Sequence, residues 1–348
     1  MSHAAAGAAR RAAREDPAIR VVVVTRRPLW YAEGAAPALD RPFHVRAGSG
    51  LAWLDVPGAG PRLVVAQDDA SFLGVLDPEP GEVCALTLDH VDRGMRQFDA
   101  ARGNKKRKLD LEACCTIQRG GQALVLAFGS GSLPARERVV VVEPGKRPRI
   151  VDASALYAAL RACTTFAGSE LNVEGAAVIG DSLRLFQRGN GAPRGGLRPT
   201  DATCDLDLEA LLAYLDDPAL PPPVPRSPVE WDLGSIRGCR LTFTDACAGR
   251  GGVAFLAAAE ASPDAVEDGE VVGVALGWIP EGEGEARWGL VREPDGAPFL
   301  GKCEGLAWAR GAPVASGRIR AWAVVDRDDP DVPSELCALE IEGLPGGP

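Results

Sequence analysis

Short apolar runs, dense in Val, Leu and Ala and broken by Gly, Pro and acidic turns, follow one another along most of this chain. The clearest example is residues 171–191, LNVEGAAVIGDSLRLFQRGNG, in which an acid precedes a small apolar run, a turn and a second apolar run. Runs of this length with branched residues read as strands, and Gly-rich turns between them read as hairpins. The pattern recurs four more times, opening at residues 48–53, 109–115, 240–247 and 302–308. Each opening is followed by further strand-like runs. In the first unit these are residues 63–69, 72–76 and 83–88, and in the fourth they are 253–259, 271–278 and 286–291.

The matched positions are Ser49, Glu112, Glu174, Asp245 and Glu304, separated by 63, 62, 71 and 59 residues. The long interval holds the Pro-rich stretch 216–228, and repeat architectures place such insertions in loops. The fifth unit has only three runs of its own. The isolated strand at residues 19–26, IRVVVVTR, supplies the fourth and so closes a ring. The expectation is an all-β, five-bladed propeller over residues 19–345, a single domain, behind a flexible leader at 1–18. Six blades follow instead if the leader or the loop at 89–108 hides strands. Residues 153–162 read as a short helix, and 203–215 are consistent with strand or helix.

Composition changes this picture little. Only 5% of residues are aromatic, against 41 glycines and 28 prolines, which suits many short elements joined by turns. Charge says more about partners. A formal net charge of -10 disfavours nucleic acid and anionic membranes, and no window is apolar enough to span a bilayer. A cytoplasmic protein is the expectation. Nine cysteines without a C-x-x-C pair, and only three histidines, argue for buried thiols over a zinc site.

Several segments together resemble an uncharacterised bacterial β-propeller family, more distantly similar to phytase-like and esterase-like propellers. They are Asp110-Leu111-Glu112, then Gly129-Ser130-Gly131-Ser132 with Arg136 and Arg138, then residues 171–177 followed by Phe186-Gln187-Arg188-Gly189-Asn190. The resemblance covers roughly residues 45–345 and implies acids near a central channel. In the phytase-like relatives such acids hold calcium around a phosphate substrate. Ser49 in the first unit and Asp245 in the fourth depart from a uniform ring of Glu.

Propeller geometry lines the channel with the first strand of every blade, so Glu112, Glu174, Asp245 and Glu304 are expected to face one funnel. At about 8 Å and an effective dielectric of about 20, each like-charge pair costs roughly 2 kcal/mol. The ring therefore needs a cation, raised pKa values or basic partners. One reading is a calcium site built from Glu112, Glu174, Asp245, Glu304 and Asp326. The other is that the same acids bond to neighbouring backbone or to Arg188 and Arg327, locking blade to blade. Arg136, Arg188, Asn190 and Arg327 are the candidates for holding a ligand, a small anion in the first instance. No catalytic signature is present: Gly129-Ser130-Gly131-Ser132 is not a nucleophile elbow, and only His44 and His90 could assist a serine. The expected role is a non-catalytic ligand- or partner-binding protein, with a calcium-dependent phosphoester or ester hydrolase as the alternative. The run Lys105–Arg107 with Lys108 reads as a solvated loop, and Trp53, Trp308 and Trp322 as packing between blades.

Overall fold

The computed structural model describes residues 9–261, 269–310 and 318–347. Its strands are β1 (Ala9–Glu15), β2 (Arg20–Pro28), β3 (Gly48–Val56), β4 (Gly60–Gln67), β5 (Phe72–Leu76), β6 (Val83–Thr87), β7 (Leu111–Arg119), β8 (Gln122–Gly129), β9 (Arg138–Val142) and β10 (Arg149–Asp152). Two helices follow, α1 (Ser154–Ala162) and α2 (Thr164–Ala167). Then come β11 (Val173–Ile179), β12 (Ser182–Gln187), β13 (Asp201–Asp207), α3 (Leu208–Asp216), β14 (Arg226–Asp232), β15 (Ser235–Ile236), β16 (Cys239–Gly249), β17 (Gly252–Ala261), β18 (Glu270–Pro280), β19 (Ala286–Arg292), β20 (Lys302–Trp308), β21 (Ile319–Asp326) and β22 (Glu335–Glu342).

Antiparallel pairing groups these into four-stranded meanders: β3 to β6, β7 to β10, β11 to β14, and β16 to β19. The last meander is β20, β21, β22 and then β2, which pairs antiparallel with β22 from Arg20–Glu342 to Pro28–Glu335. An N-terminal strand therefore supplies the fourth position of the C-terminal sheet, as the missing run in the fifth repeat predicts. The first strands lie side by side around one axis: β3 against β7, β7 against β11, β11 against β16, β16 against β20, and β20 against β3. The apolar residues fall into five clusters, one between each sheet and the next, the fifth and first sheets included. This all-β arrangement is a β-propeller.

Two features differ from expectation. Residues 9–15, within the stretch expected to be a flexible leader, form β1; residues 1–8 lie outside the described residues. β1 runs parallel to β14 through Ala9–Ala12 and to β19 through Ala13–Glu15, so it covers the outer edges of two neighbouring sheets. The paired Arg and Ala of ARRAARE, with no strand period, hide this in sequence: Ala13 is buried against Trp288 and Ala286 while the arginines reach solvent. β2 also touches β19, and these bridges join three meanders into one hydrogen-bonded sheet of 14 strands. The loop at 89–108 holds only isolated bridges and a 3-10 turn. Residues 203–215 divide into strand and helix at Asp207, whose side chain caps α3 by accepting the Ala210 N–H at 2.9 Å. The helices close over the cluster between the second and third sheets, where Leu156, Tyr157, Leu160, Leu211, Tyr214 and Leu215 are buried.

Each first strand carries a register break at the same place, between Gly48 and Gly50, Leu111 and Ala113, Val173 and Gly175, Phe243 and Asp245, and Cys303 and Gly305. A bulge leaves one residue unpaired and re-aims its side chain. The bulged residues are Ser49, Glu112, Glu174, Thr244 and Glu304. The acid in the fourth unit therefore stands one position off the repeat: Thr244 is the true equivalent, and Asp245 occupies the position held by Gly50, Ala113, Gly175 and Gly305. The corrected spacing is 63, 62, 70 and 60.

That following position is small because neighbouring first strands nearly touch there. A Cβ at Gly175 would stand 2.9 Å from the Ala246 backbone nitrogen, and one at Gly305 would stand 2.8 Å from the Gly50 carbonyl carbon. Side chains further along stitch the strands together. Trp53 Nε1 donates to the Trp308 carbonyl at 2.9 Å, Trp308 Nε1 to the Ala248 carbonyl at 2.8 Å, and Thr116 Oγ1 to the Trp53 carbonyl at 2.9 Å. The tryptophans thus serve inter-sheet packing. Gly175→Val should force β11 and β16 apart and destabilise the protein by about 1–3 kcal/mol, read as a lower denaturant midpoint at unchanged slope.

Candidate functional site

The bulges aim their side chains at the axis, where the ends of the second strands also arrive, because Gly48 pairs with Gln67, Leu111 with Gly129, Val173 with Gln187 and Lys302 with Asp326. Asp68, Ser130, Arg188, Glu260 and Asp326 thereby reach the level of the bulged acids. The residue two before each bulge adds Asp110, Asn172, Thr242 and Lys302 to the same layer. The result is a funnel of buried charge in which carboxylates outnumber cations among the described residues.

Three cations each sit between two carboxylates. Lys108 Nζ lies 2.5 Å from Asp68 Oδ2 and 2.6 Å from Asp110 Oδ1. Arg188 Nη2 lies 2.5 Å from Glu260 Oε1 and its Nη1 3.4 Å from Glu174 Oε1, while its Nε donates to Thr242 Oγ1 at 3.2 Å. Lys302 Nζ lies 3.1 Å from Glu304 Oε1 and 3.1 Å from Asp328 Oδ1. Arg136 closes the rim, 2.8 Å from Asp110 Oδ2 and 2.7 Å from Ser132 Oγ. Glu112 differs from the other ring acids. It is 9% exposed, its carboxylate lies within 4.8 Å of those of Asp68 and Asp110, and it accepts no hydrogen bond and forms no ion pair among the described residues.

Electrostatics follow from this layout. Burial, reinforced by Asp110, Glu174 and Asp68, pushes the Glu112 carboxyl well above its ordinary range. Burial also outweighs Arg188 and Lys302 at Glu174, which is raised to about 7, and outweighs Lys302 at Asp326, likewise raised to about 7. Glu304 is raised well above its ordinary value by burial. Asp110 goes the other way: burial would raise it, but Lys108 and Arg136 hold it below the usual carboxylate range. Burial alone would lower Lys108, and Asp110 and Asp68 keep it firmly protonated.

The sequence candidates divide accordingly. Glu112, Glu174, Glu304 and Asp326 meet at the axis. Asp245 does not join them as a ring acid: fully buried beside Cys114, Cys115 and Cys247, it accepts the Leu306 N–H at 2.6 Å and ties β16 to β20. Arg188 is in the funnel as an ion-pair partner, and Asn190 sits beside it, its Oδ1 accepting from Asn172 Nδ2 at 3.3 Å. Arg327 turns to Glu335 instead, at 3.1 Å. Lys108, expected in solvent with Lys105–Arg107, is buried at the axis, and Lys302 was legible only as the start of a strand. Ser130 Oγ donates to Asp110, while His44 and His90 donate to the carbonyls of Pro330 and Arg107. All nine cysteines are free thiols, Cys84 exposed.

A β-propeller with a charged axial funnel is thus the class of the molecule. Within that class the chain belongs to the family described as "Family of unknown function (DUF6910)", which it matches over residues 104–330. No curated protein matches the sequence. Among solved structures, the PQQ-bound aldose sugar dehydrogenase of Streptomyces coelicolor is similar at 13% identity and a TM-score of 0.40, over 94% of this chain and 99% of that one. The GH93 α-L-arabinofuranosidase of Fusarium graminearum is similar at 8% identity and a TM-score of 0.43, over 92% and 98%. Among the described residues, no helix is long and apolar enough to cross a membrane.

Two outcomes test the charge layout. Arg188→Met should leave Glu174 and Glu260 buried without their partner and cost about 3–5 kcal/mol in chemical denaturation. Acids whose pKa is raised in the folded state bind protons more tightly folded than unfolded. Their stabilising contribution is full below the ordinary carboxylate range and is lost as pH rises through about 7. Thermal midpoints should accordingly fall between about pH 5.5 and about pH 8.5, and fall less steeply in Glu112→Gln.

Proposed function

We propose that this protein is a five-bladed propeller with a non-catalytic binding role, and that its axial funnel takes up a cation or the cationic group of a small ligand. The blade count is supported by the five meanders and by the five apolar clusters between them. The binding reading rests on one observation: Glu112 is a buried carboxylate with no bonded partner among the described residues, beside Asp68 and Asp110. Burying its charge unpaired is costly, so burial favours the protonated carboxyl, and an incoming cation favours the ionised form and offsets that cost.

Calcium is one candidate occupant. Asp68, Asp110 and Glu112 supply the oxygen ligands it prefers, with Glu174, Glu304 and Asp326 close enough to add charge. A small anion has less support, because Arg136, Arg188 and Arg327 are each already ion-paired. The same pairing weakens the calcium-dependent phosphoester or ester hydrolase, which needs one of those guanidinium groups to hold its substrate. A protein partner at the funnel mouth would have to bring a basic group to the same acids. Titration calorimetry of the protein at about pH 8 with divalent and monovalent cations should show saturable binding that weakens at least about tenfold in Glu112→Gln. Heat flat for every cation, or affinity indifferent to Glu112→Gln, overturns the reading. Turnover of a generic phosphoester that needs calcium and stops with a chelator would favour the hydrolase.

A further inference from the structure

The funnel carboxylates already bond to organic cations of this chain, the guanidinium groups of Arg136 and Arg188 and the ammonium groups of Lys108 and Lys302. Lys108 and Lys302 each present an alkylammonium group to two acids, at 2.5 and 2.6 Å in one case and 3.1 Å twice in the other. An ammonium offers three donors and is satisfied by single carboxylate oxygens on different strands. Calcium asks for six to eight oxygens at about 2.3–2.6 Å. At the Asp68, Asp110 and Glu112 trio that demand meets an obstacle, because Asp68 and Asp110 each direct an oxygen at the Lys108 ammonium. A divalent ion within reach of all three carboxylates would have to displace that ammonium or share its ligands. Glu112 remains as the nine-tenths-buried acid aimed into this cluster with no bonded cation among the described residues.

We propose that the ligand of the funnel is an organic ammonium, the protonated amino group of a small aliphatic amine, docking on Glu112 beside Lys108. This inference rests on the cation reading above and narrows it. Its single charge matches Glu112, which has neither a hydrogen bond nor an ion pair among the described residues. Five neighbouring acids keep their internal partners, Asp68 and Asp110 on Lys108, Glu174 and Glu260 on Arg188, and Glu304 on Lys302, while Asp326 accepts the Asp328 N–H.

The test uses the full chain at about pH 8, where aliphatic amines are protonated. Calorimetry and thermal melts would compare propylamine and putrescine with calcium and magnesium chlorides at equal ionic strength. The expected result is saturable amine binding, at least about tenfold tighter than that of either divalent ion and at least about tenfold weaker in Glu112→Gln. A second variant reads the same chemistry independently of Glu112. Lys108→Ala leaves Asp68 and Asp110 without their ammonium, and its lowered melting midpoint should be restored by propylamine and not by calcium. Calcium binding to the wild-type protein that is lost in Glu112→Gln, with amines inert, overturns the ammonium inference and leaves the cation reading standing. No binding by any cation, or binding unaffected by Glu112→Gln, overturns both. If Lys108→Ala is rescued by calcium and not by amine, the inference also fails.

Discussion

Five strands from five sheets converge on one axis closely enough that a single added methyl at Gly175 or Gly305 would meet a neighbouring backbone, and most other features follow from that closeness. It limits the position after each bulge to Gly or Ala in four sheets, and the fourth sheet uses the side chain there to bond to the next strand, Asp245 to Leu306. It lets Trp53, Trp308 and Thr116 bond from one first strand to the next. It also covers the strand edges at the axis, so the sheets hold one another in a ring without a hydrogen-bonded barrel.

The same convergence concentrates charge. A bulge near the start of a strand turns one side chain per sheet inward, and when those side chains are Glu the cost of like charges in a poorly solvated space has to be met locally. Here it is met by cations lodged between pairs of acids. The pairs cross sheet boundaries: Lys108 joins the first sheet to the second through Asp68 and Asp110, and Arg188 joins the third to the fourth through Glu174 and Glu260. Glu174 and Glu304 are paired within the protein, and Glu112 carries the binding argument.

The repeat was legible because strand period and turn chemistry are local, and so was the donation of residues 19–26 to the last sheet, which follows from counting strands. The register of the fourth unit was not. In TFTDAC the acid beside the bulge is conspicuous and the threonine is not, yet backbone pairing, which sequence does not display, decides that Thr244 is the bulged residue. Lys108 was hidden for a related reason. It closes a basic run that looks solvated, and only the approach of Asp68 from another sheet buries it. A usable signal did exist: Asp110, Asn172, Thr242 and Lys302, each two residues before a bulge, are all polar at or near the start of a mostly apolar strand. β1 was missed because its partners, β14 and β19, lie more than 200 residues away and four of its seven residues are charged.

The placement of β1 and β2 has a consequence for the order of assembly. These are the earliest described segments of the chain, yet β1 pairs with residues 229–232 and 286–288 and β2 with residues 335–342. During synthesis these two strands precede the residues they pair with by more than 200 positions. Contacts between such distant positions are slow to form. The segment stays without those partners meanwhile, and the six arginines spread through residues 10–27 favour its solvation.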